Sequence, residues 1–434
     1  MIADVQSSRL KVDYPVHTRV LGNGLRVVVS PDHSVPAVAV NLWYDVGSRD
    51  EPPGQTGWAH LFEHLMFQGS AHVAPGEHMQ LLQNVGGSVN GTTWFDRTNY
   101  FETVPTGALE LALWLEADRL ATLPDHLDAT NLATQREVVK EEKRQRYDNV
   151  PYGDALQHLV ELVFPPDHPY GHVTIGSMAD LDLATPDGAR DFFRRHYHPG
   201  NAVLTLVGDV SAKEAFKRAE KAFGWIPPGT ANTRTAVAPL PALTGEPHRE
   251  VTADVPADAV HLAWRLPARD TVGYDAADLA LAILGQGQTS RLHRGLVRAD
   301  LAVAASASAT GLIAGTSMAV ASARARSGDD PARLEEALRG EIDRFLEQGP
   351  TAAELDRAKV QFEREWLSEL AHLEARADQL GCYATLHGDP SRVNRRLDEI
   401  ERLDVDEVAR TARELLRPDQ AATLRYRKET SDAA

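Results

Sequence analysis

The amino-acid sequence predicts an α+β fold in which one domain occurs twice. At 434 residues, the chain is too long for one ordinary domain. Each half runs from strands to helices and ends on a strand, although residue-by-residue identity between the halves is weak. Residues 226–247 are rich in Pro, Thr, Ala and Gly without hydrophobic periodicity, as is typical of a linker. We therefore predict a first domain at 1–226, a linker at 227–248 and a second domain at 249–434.

Hydrophobic alternation and turn residues predict the elements of the first half. Leu25, Val27 and Val29 share one face after the turn Gly22-Asn23-Gly24, which predicts a hairpin over 16–30. The remaining predictions are a strand at 35–46, a helix at 75–85 that ends at Gly86-Gly87, a hairpin within 88–101, helices at 106–122, 126–147 and 151–165, a strand at 203–207 and a helix at 212–223.

The second half repeats this order after the linker. Strands are predicted at 249–254 and 258–266, helices at 273–286 and 290–298, strands at 301–312 and 315–324, helices at 331–348 and 352–372, and a last strand at 421–426.

Composition limits the class of protein. Hydrophobic residues make up 43% and charged residues 25%, a normal globular mixture. A net charge of −17 argues against a nucleic-acid or anionic-membrane partner and is compatible with basic peptides. Cys382 is the one cysteine, which excludes disulfides and cysteine metal sites. Residues 1–10 lack the pattern of a secretory signal, and no stretch is apolar enough to span a bilayer, so we expect a cytoplasmic protein that does not enter the membrane.

The motif His60-Leu61-Phe62-Glu63-His64 is the centre of the functional prediction. Thr56 can cap a helix here and Gly69 can end it. On that helix His60 and His64 project from one face and can converge on one cation. Glu63 lies beside the same point and could take a proton from water that such an ion activates.

An ordinary structural interpretation of this motif is open, namely two partly buried histidines on a core helix. The neighbouring side chains are apolar, so the polar residues of the motif would form an island in a buried element. A buried imidazole or carboxylate needs a partner, and a metal ion provides one.

A carboxylate further along the chain completes a ligand set. Leu132, Gln135, Val139 and Glu142 share one helical stripe, whereas Glu141 flanks it towards solvent. Two histidines and a glutamate form a known catalytic zinc set. The alternative for Glu142 is an ion pair with Arg144 or Arg146.

Asn90 and Gly91 interrupt a strand-like run. A glycine there lets another backbone come close. A plain bulge is the alternative that this stretch by itself favours.

Taken together, these motifs resemble the pitrilysin, insulinase and mitochondrial processing peptidase family of zinc endopeptidases over residues 17–425. The residues that carry the resemblance are His60-Leu61-Phe62-Glu63-His64, Gly86-Gly87, Asn90, Asp96, Tyr100, Arg136 to Glu142, Phe193, Tyr197, Pro199, Asn201, Gly208-Asp209, Ser290-Arg291-Leu292, Leu380-Gly381 and Gly388-Asp389-Pro390. The resemblance implies two homologous α/β-sandwich domains, each a mostly antiparallel sheet with helices on one side.

The resemblance also implies roles for individual residues. His60, His64 and Glu142 would bind one Zn²⁺ per chain, and Glu63 would be the general base. Arg136 anchors the family pattern and places the third ligand at Glu142 rather than Glu141. Family members often carry a glutamate seven residues before the third ligand, where this chain has Gln135. This difference could weaken the outer contacts that tune the ligand, but it does not remove a ligand.

Further along the same resemblance, Asn90 and Gly91 match a strand against which such enzymes lay the substrate backbone. The implied function is a zinc endopeptidase acting on peptides or unfolded segments. The alternatives are a non-catalytic scaffold subunit of the same fold and a slow peptide-binding module.

Family members of this length work in pairs, so the resemblance implies a dimer. In active pairs the part opposite the zinc offers an arginine and a tyrosine to the substrate. Here Arg298 is present, but Val303 stands at the tyrosine position and the segment is one residue short. We therefore expect a dimer, with a heterodimer as the arrangement in which a related subunit supplies both groups.

Overall fold

The computed structural model describes residues 12–230, 236–326 and 331–429. In chain order, the helices and strands of the first half are β1 (His17–Val20), β2 (Arg26–Pro31), β3 (Ala37–Tyr44), α1 (Trp58–Leu65), α2 (Glu77–Asn84), β4 (Ser88–Thr93), β5 (Thr98–Pro105), α3 (Leu109–His126), α4 (Ala129–Lys143), α5 (Ala155–Val163), α6 (Met178–Asp182), α7 (Pro186–His196), β6 (Ala202–Gly208) and α8 (Ala212–Phe223).

The second half begins with a strand that follows the linker region. Its helices and strands are β7 (His248–Ala253), β8 (Ala259–Pro267), α9 (Val272–Gly285), β9 (Ala304–Thr310), β10 (Thr316–Arg324), α10 (Pro331–Gln348), α11 (Ala352–Ala371), α12 (Leu373–Leu386), α13 (Arg396–Glu401), α14 (Val405–Leu415) and β11 (Ala422–Lys428). The described parts of 226–247 contain no helix or strand, and residues 231–235 of the predicted linker lie outside the described residues.

The two sheets have the same pairing pattern. The first sheet has the order β1-β2-β6-β3-β5-β4 and the second the order β7-β11-β8-β10-β9. In each, the pair formed by the first long strand and the last strand is parallel, and the other pairs are antiparallel. The second sheet therefore repeats the first without β1, which confirms the predicted duplicated α+β fold.

Each sheet is covered on one face by helices of its own half. In the first sheet this face carries Val27, Val29, Val40, Leu42, Leu204 and Leu206, which pack with apolar residues of α1 and α3. In the second sheet it carries Val260, Leu262, Trp264 and Leu266, which pack with α9, α10 and α14. Successive side chains of a strand point to opposite faces of the sheet, and central strands such as β3 and β6 are buried along nearly their whole length, so both faces are apolar.

The opposite faces are covered by helices that the halves exchange. Val28, Ala39 and Trp43 of the first sheet pack with Leu380 and Tyr383 of α12. The second sheet in turn packs its other face on α5 of the first half. Each half by itself therefore has helices on one side of its sheet, as expected. In the whole chain, a helix from the other half covers the second side of each sheet.

Local differences from the prediction have identifiable causes. The 126–147 helix begins at Ala129, because Asp128 caps it by accepting hydrogen bonds from Thr130 N and Asn131 N, both at 2.8 Å. The predicted helix at 290–298 is a short segment of which His293–Val297 is π-helical. None of the described helices is both long and apolar enough to cross a membrane.

Candidate metal centre

Helix α1 carries the two histidines of the motif on one face. Its apolar residues Trp58, Leu61, Phe62 and Leu65 are buried and fix the rotation of the helix. The His60 and His64 rings lie with centroids 4.9 Å apart and nearly perpendicular. Burial lowers the pKa of His60 to about 4, so its imidazole is neutral and able to bind metal at neutral pH.

The start of α1 differs from the prediction that Thr56 caps it. The N-cap is Gly57 in the left-handed region at φ 92°, and it has no side chain to offer. Thr56 instead donates its hydroxyl to Asp180 at 2.6 Å. The helix ends at Leu65, before Gly69, and Gly69 lies at φ 99° in the loop that follows.

Helix α4 brings Glu142 to the histidines. Glu142 Oε2 lies 3.3 Å from His64 Nε2 and 3.7 Å from His60 Nε2. The ligand atoms of the three residues all lie within 4.8 Å of one another. The hydrogen bond with His64 lowers the pKa of Glu142, so the carboxylate is charged at neutral pH.

The ion-pair interpretation of Glu142 also holds, because its two oxygens have different partners. Oε1 accepts from Arg146 Nη1 at 2.7 Å, while Oε2 faces the histidines. Glu141 is exposed and bonds to Arg144 at 3.1 Å. Glu142 therefore faces the histidines while Glu141 faces solvent, as the helical stripe predicted.

The three side chains fit a zinc ion. Ligands at about 2.0–2.2 Å in a tetrahedral arrangement are separated from one another by roughly 3.3–3.6 Å. The contacts of 3.3 and 3.7 Å between Glu142 and the histidines are close to that spacing. Two neutral nitrogens and one carboxylate also leave a fourth position for water.

Glu63 lies beside the cluster without belonging to it. A Cβ placed on Gly91 would be 3.2 Å from Glu63 Cγ, so the glutamate packs directly against β4. Burial raises the pKa of Glu63. The residue thus lies between the three ligand side chains and the edge of the first sheet.

Strand β4 is that edge, and it contains Asn90 and Gly91. The ladder with β5 is continuous, pairing Asn90 with Phe101 and Gly91 with Tyr100, so the bulge that the sequence favoured is wrong. The Tyr100 and Glu63 side chains approach Gly91 so closely that a Cβ there would lie 3.1 and 3.2 Å from them, tighter than ordinary contact. Asn90 is exposed, and its Oδ1 accepts from the Gly91 N–H at 2.9 Å.

Arg298 is not brought to this cluster. It is exposed at the end of the π-helical segment of the second half, and among the described residues no contact links it to the histidines or Glu142. Val303, at the expected tyrosine position, is 46% exposed.

Two residues near α1 were missed by the sequence analysis. Glu51 accepts hydrogen bonds from Gly57 N and Ala59 N, and His172 Nε2 lies 2.8 Å from the same carboxylate. Glu51 and His172 lie in loops far apart in the chain, where hydrophobic periodicity gives no signal.

Comparison with known proteins identifies the family. The family model described as Insulinase (Peptidase family M16) matches residues 26–163, and the one described as Peptidase M16 inactive domain matches residues 184–362. The zinc protease PqqE of Helicobacter pylori is 30% identical over 425 residues, which cover 94% of this chain and 92% of that protein. The chain belongs to the M16 peptidase family. The resemblance inferred from the motifs is thereby confirmed.

Solved structures agree with membership of the M16 family. The crystal structure of a protease from Helicobacter pylori matches with a TM-score of 0.89 and 27% identity, covering 95% of this chain and 99% of that chain. The periplasmic protease PqqL of Escherichia coli matches with a TM-score of 0.77 and 20% identity, covering 96% of this chain but 48% of that one. This M16 chain thus has the fold of about half of that longer protease.

Proposed function

We propose that this chain is a zinc-dependent endopeptidase that hydrolyses bonds within peptides or unfolded segments. One observation carries the proposal: two helices bring His60, His64 and Glu142 together, with Glu63 between that cluster and the edge strand β4. Relatives named as zinc proteases support the choice of metal and of reaction.

Three side chains of the cluster would bind the metal ion. His60, His64 and Glu142 would hold the zinc ion, while Arg146 would keep its contact with Glu142 Oε1. When bound, zinc supplies Lewis acidity that lowers the pKa of water to about 7 and polarises the scissile carbonyl.

Glu63 moves the proton. Its carboxylate takes a proton from the attacking water and gives it to the leaving amine, so that it is restored at the end of the cycle. It is suited to this because it lies beside the ligands but outside the set of three.

The substrate would bind as an additional strand. The outer edge of β4 has no partner strand among the described residues, and an extended peptide can pair with such an edge. Asn90 and Gly91 lie on this strand, and Gly91 lies next to Glu63, so a peptide paired here would have its backbone within reach of the base.

Replacing the base tests the proposal. Glu63→Gln should keep its zinc and its fold while kcat for a cleaved peptide falls by about 10²–10⁴-fold. Glu141→Gln is the matched control, since Glu141 is exposed and bonds outside the cluster. Near-normal turnover by metal-loaded Glu63→Gln would refute the role of Glu63.

We further propose that the chain forms one part of a two-part chamber, with a related subunit as its partner. The match to about half of a longer protease supports a two-part arrangement. In a homodimer the opposing chain would offer Arg298 but only the apolar Val303 beside it, and valine has no hydrogen-bond donor for an oxyanion.

The isolated chain should therefore cleave peptides poorly. Because Val303 is 46% exposed, Val303→Tyr can be accommodated and should raise kcat, and Arg298→Ala should abolish that gain. A fully active wild-type chain that is indifferent to Arg298→Ala would reject this arrangement.

A further inference from the structure

The proposed ligands come from two separate helices, so their spacing depends on how those helices are held. His60 and His64 lie on α1, and Glu142 lies near the end of α4. A rotation of α1 about its own axis would carry both histidine nitrogens away from Glu142 Oε2 together. Whatever fixes the first turn of α1 therefore acts on two ligands at once.

That first turn is fixed by the carboxylate of Glu51. Oε1 accepts from Ala59 N at 2.7 Å, and Oε2 accepts from Gly57 N at 2.8 Å. Ala59 directly precedes the ligand His60, so the hydrogen bond is one residue from it. The Glu51 side chain is completely buried, and a carboxylate at a helix N-terminus is favoured by the helix dipole. Glu51 thus replaces the cap that Gly57 cannot provide.

His172 holds Glu51 from the other side. Its Nε2 lies 2.8 Å from Glu51 Oε2. Burial raises the pKa of Glu51, while the hydrogen bonds with His172, Ala59 N and Gly57 N act to lower it. In its ionised form the carboxylate only accepts, so the imidazole then donates. The His172 side chain is 23% exposed and lies in the loop before α6. The carboxylate therefore has three donors around it, two from α1 and one from this loop.

Helix α6, which follows that loop, contacts both ligand-bearing helices. Asp180 accepts from Thr56 N at 3.0 Å next to α1, and Asp182 accepts from Lys140 Nζ at 2.9 Å on α4. The pair formed by Asp182 is exposed and contributes little by itself. The completely buried Glu51 carboxylate thus joins α1 to the loop of His172, and helix α6 after that loop contacts α4 through this exposed pair.

We propose that Glu51, oriented by His172, is a positioning residue of the metal centre. It sets the rotation and height of α1 so that His60 and His64 meet Glu142 at ligand distance. This inference rests on the proposed function, since it takes zinc to bind at His60, His64 and Glu142. Outer partners of metal ligands typically change metal affinity by about 10–100-fold, and we expect an effect of that size.

Glu51→Gln tests the proposal. The amide has one accepting oxygen, and its NH₂ group opposes one of the α1 N–H groups, so one hydrogen bond is lost. The dissociation constant for Zn²⁺, measured by competition with a chelator, should rise about 10–100-fold. Amide hydrogen exchange in the metal-free protein should accelerate over Trp58–Leu65 and not over the second sheet.

Asp270→Asn is the matched control. Asp270 is a buried carboxylate that contacts a histidine, His387 Nε2, at 2.5 Å, but it lies in the second half. The Asp270→Asn substitution should lower the unfolding temperature and leave the dissociation constant for Zn²⁺ unchanged. A purely structural role for Glu51 would give the same pattern in Glu51→Gln, and that result would overturn the proposal.

A pair of variants at His172 repeats the test if Glu51→Gln does not fold. His172→Gln keeps a donor for Glu51 and should bind zinc within about threefold of the wild type, whereas His172→Leu should bind more weakly by about tenfold. Equal affinities in the two variants would also overturn the proposal. Failure of the wild type to bind zinc is a separate result, which would reject the proposed function and this inference with it.

Discussion

Gly91→Ala is the sharpest perturbation of the proposed catalytic arrangement, because it adds one methyl group beside the base. The new Cβ would lie 3.1 Å from Tyr100 Cδ1 and 3.2 Å from Glu63 Cγ. Carbon atoms in ordinary contact are about 3.5–4.0 Å apart, so roughly 0.3–0.4 Å must be absorbed. The outcome depends on which neighbour moves.

Tyr100 cannot give way. It is completely buried, its hydroxyl lies 3.3 Å from Phe62 O, and Arg119 stacks 4.4 Å from its ring centre. The displacement therefore falls on Glu63. Since a misplacement of 1 Å can cost about 100-fold, a shift of this size is expected to lower kcat by roughly 4–6-fold. Overpacking should also cost about 1 kcal/mol of stability.

Steady-state kinetics combined with metal analysis distinguish a displaced Glu63 from a loss of zinc or of folding in Gly91→Ala. Zinc content should be unchanged, because none of the three ligand side chains is among the atoms nearest to the added methyl group. Gly107→Ala is the control, since a Cβ there meets nothing within 4 Å. Wild-type kcat in Gly91→Ala, or loss of zinc with it, would show that the reasoning about Glu63 is wrong.

Two further predictions concern carboxylates. Glu142→Gln should weaken zinc binding by at least about 100-fold, because even outer partners cost 10–100-fold, whereas Glu141→Gln should not; equal zinc loss after dialysis would reject the assignment. Burial works to raise the pKa of Glu354, but hydrogen bonds from Arg291 and Thr351 bring it from 4.5 to about 2. Because the pKa of Glu354 is lower in the folded state, its ionised carboxylate stabilises the fold above pH 4.5. That stabilisation is lost as the pH falls towards about 2. The unfolding temperature of Glu354→Gln should therefore lie below that of the wild type at pH 7 and approach it near pH 2; a constant gap would contradict this.

The order of elements could be predicted because each strand and helix carries its own periodicity. The exchange of α5 and α12 could not. An apolar stripe shows that a helix face is buried, but not which sheet covers it. Leu380 and Tyr383 on α12 pack against the first sheet, although they lie in the second half of the sequence.

The residues of the proposed metal centre could be predicted from the sequence to different degrees. His60 and His64 follow from helical spacing, and Glu142 follows from the apolar stripe of α4, since both are local patterns. Glu51 has no such pattern, because its partner His172 is 121 residues away. A hydrogen bond across that separation is visible only once the fold is known.

The exchange of helices also connects the second half, in whose described residues no metal cluster is found, to the proposed metal centre. Beyond Glu142 the chain passes through residues 144–148 into α5, which packs on the second sheet. Tyr152, just before α5, donates its hydroxyl to Ala257 O at 2.5 Å in the second half. Tyr426 of β11 likewise donates to Asp154. The segment that carries Glu142, the proposed third ligand, is thus held at its far end by the second sheet. On the side of the first half, Glu51 contacts α1 and α6 contacts α4. Both halves therefore contact the segment that follows Glu142.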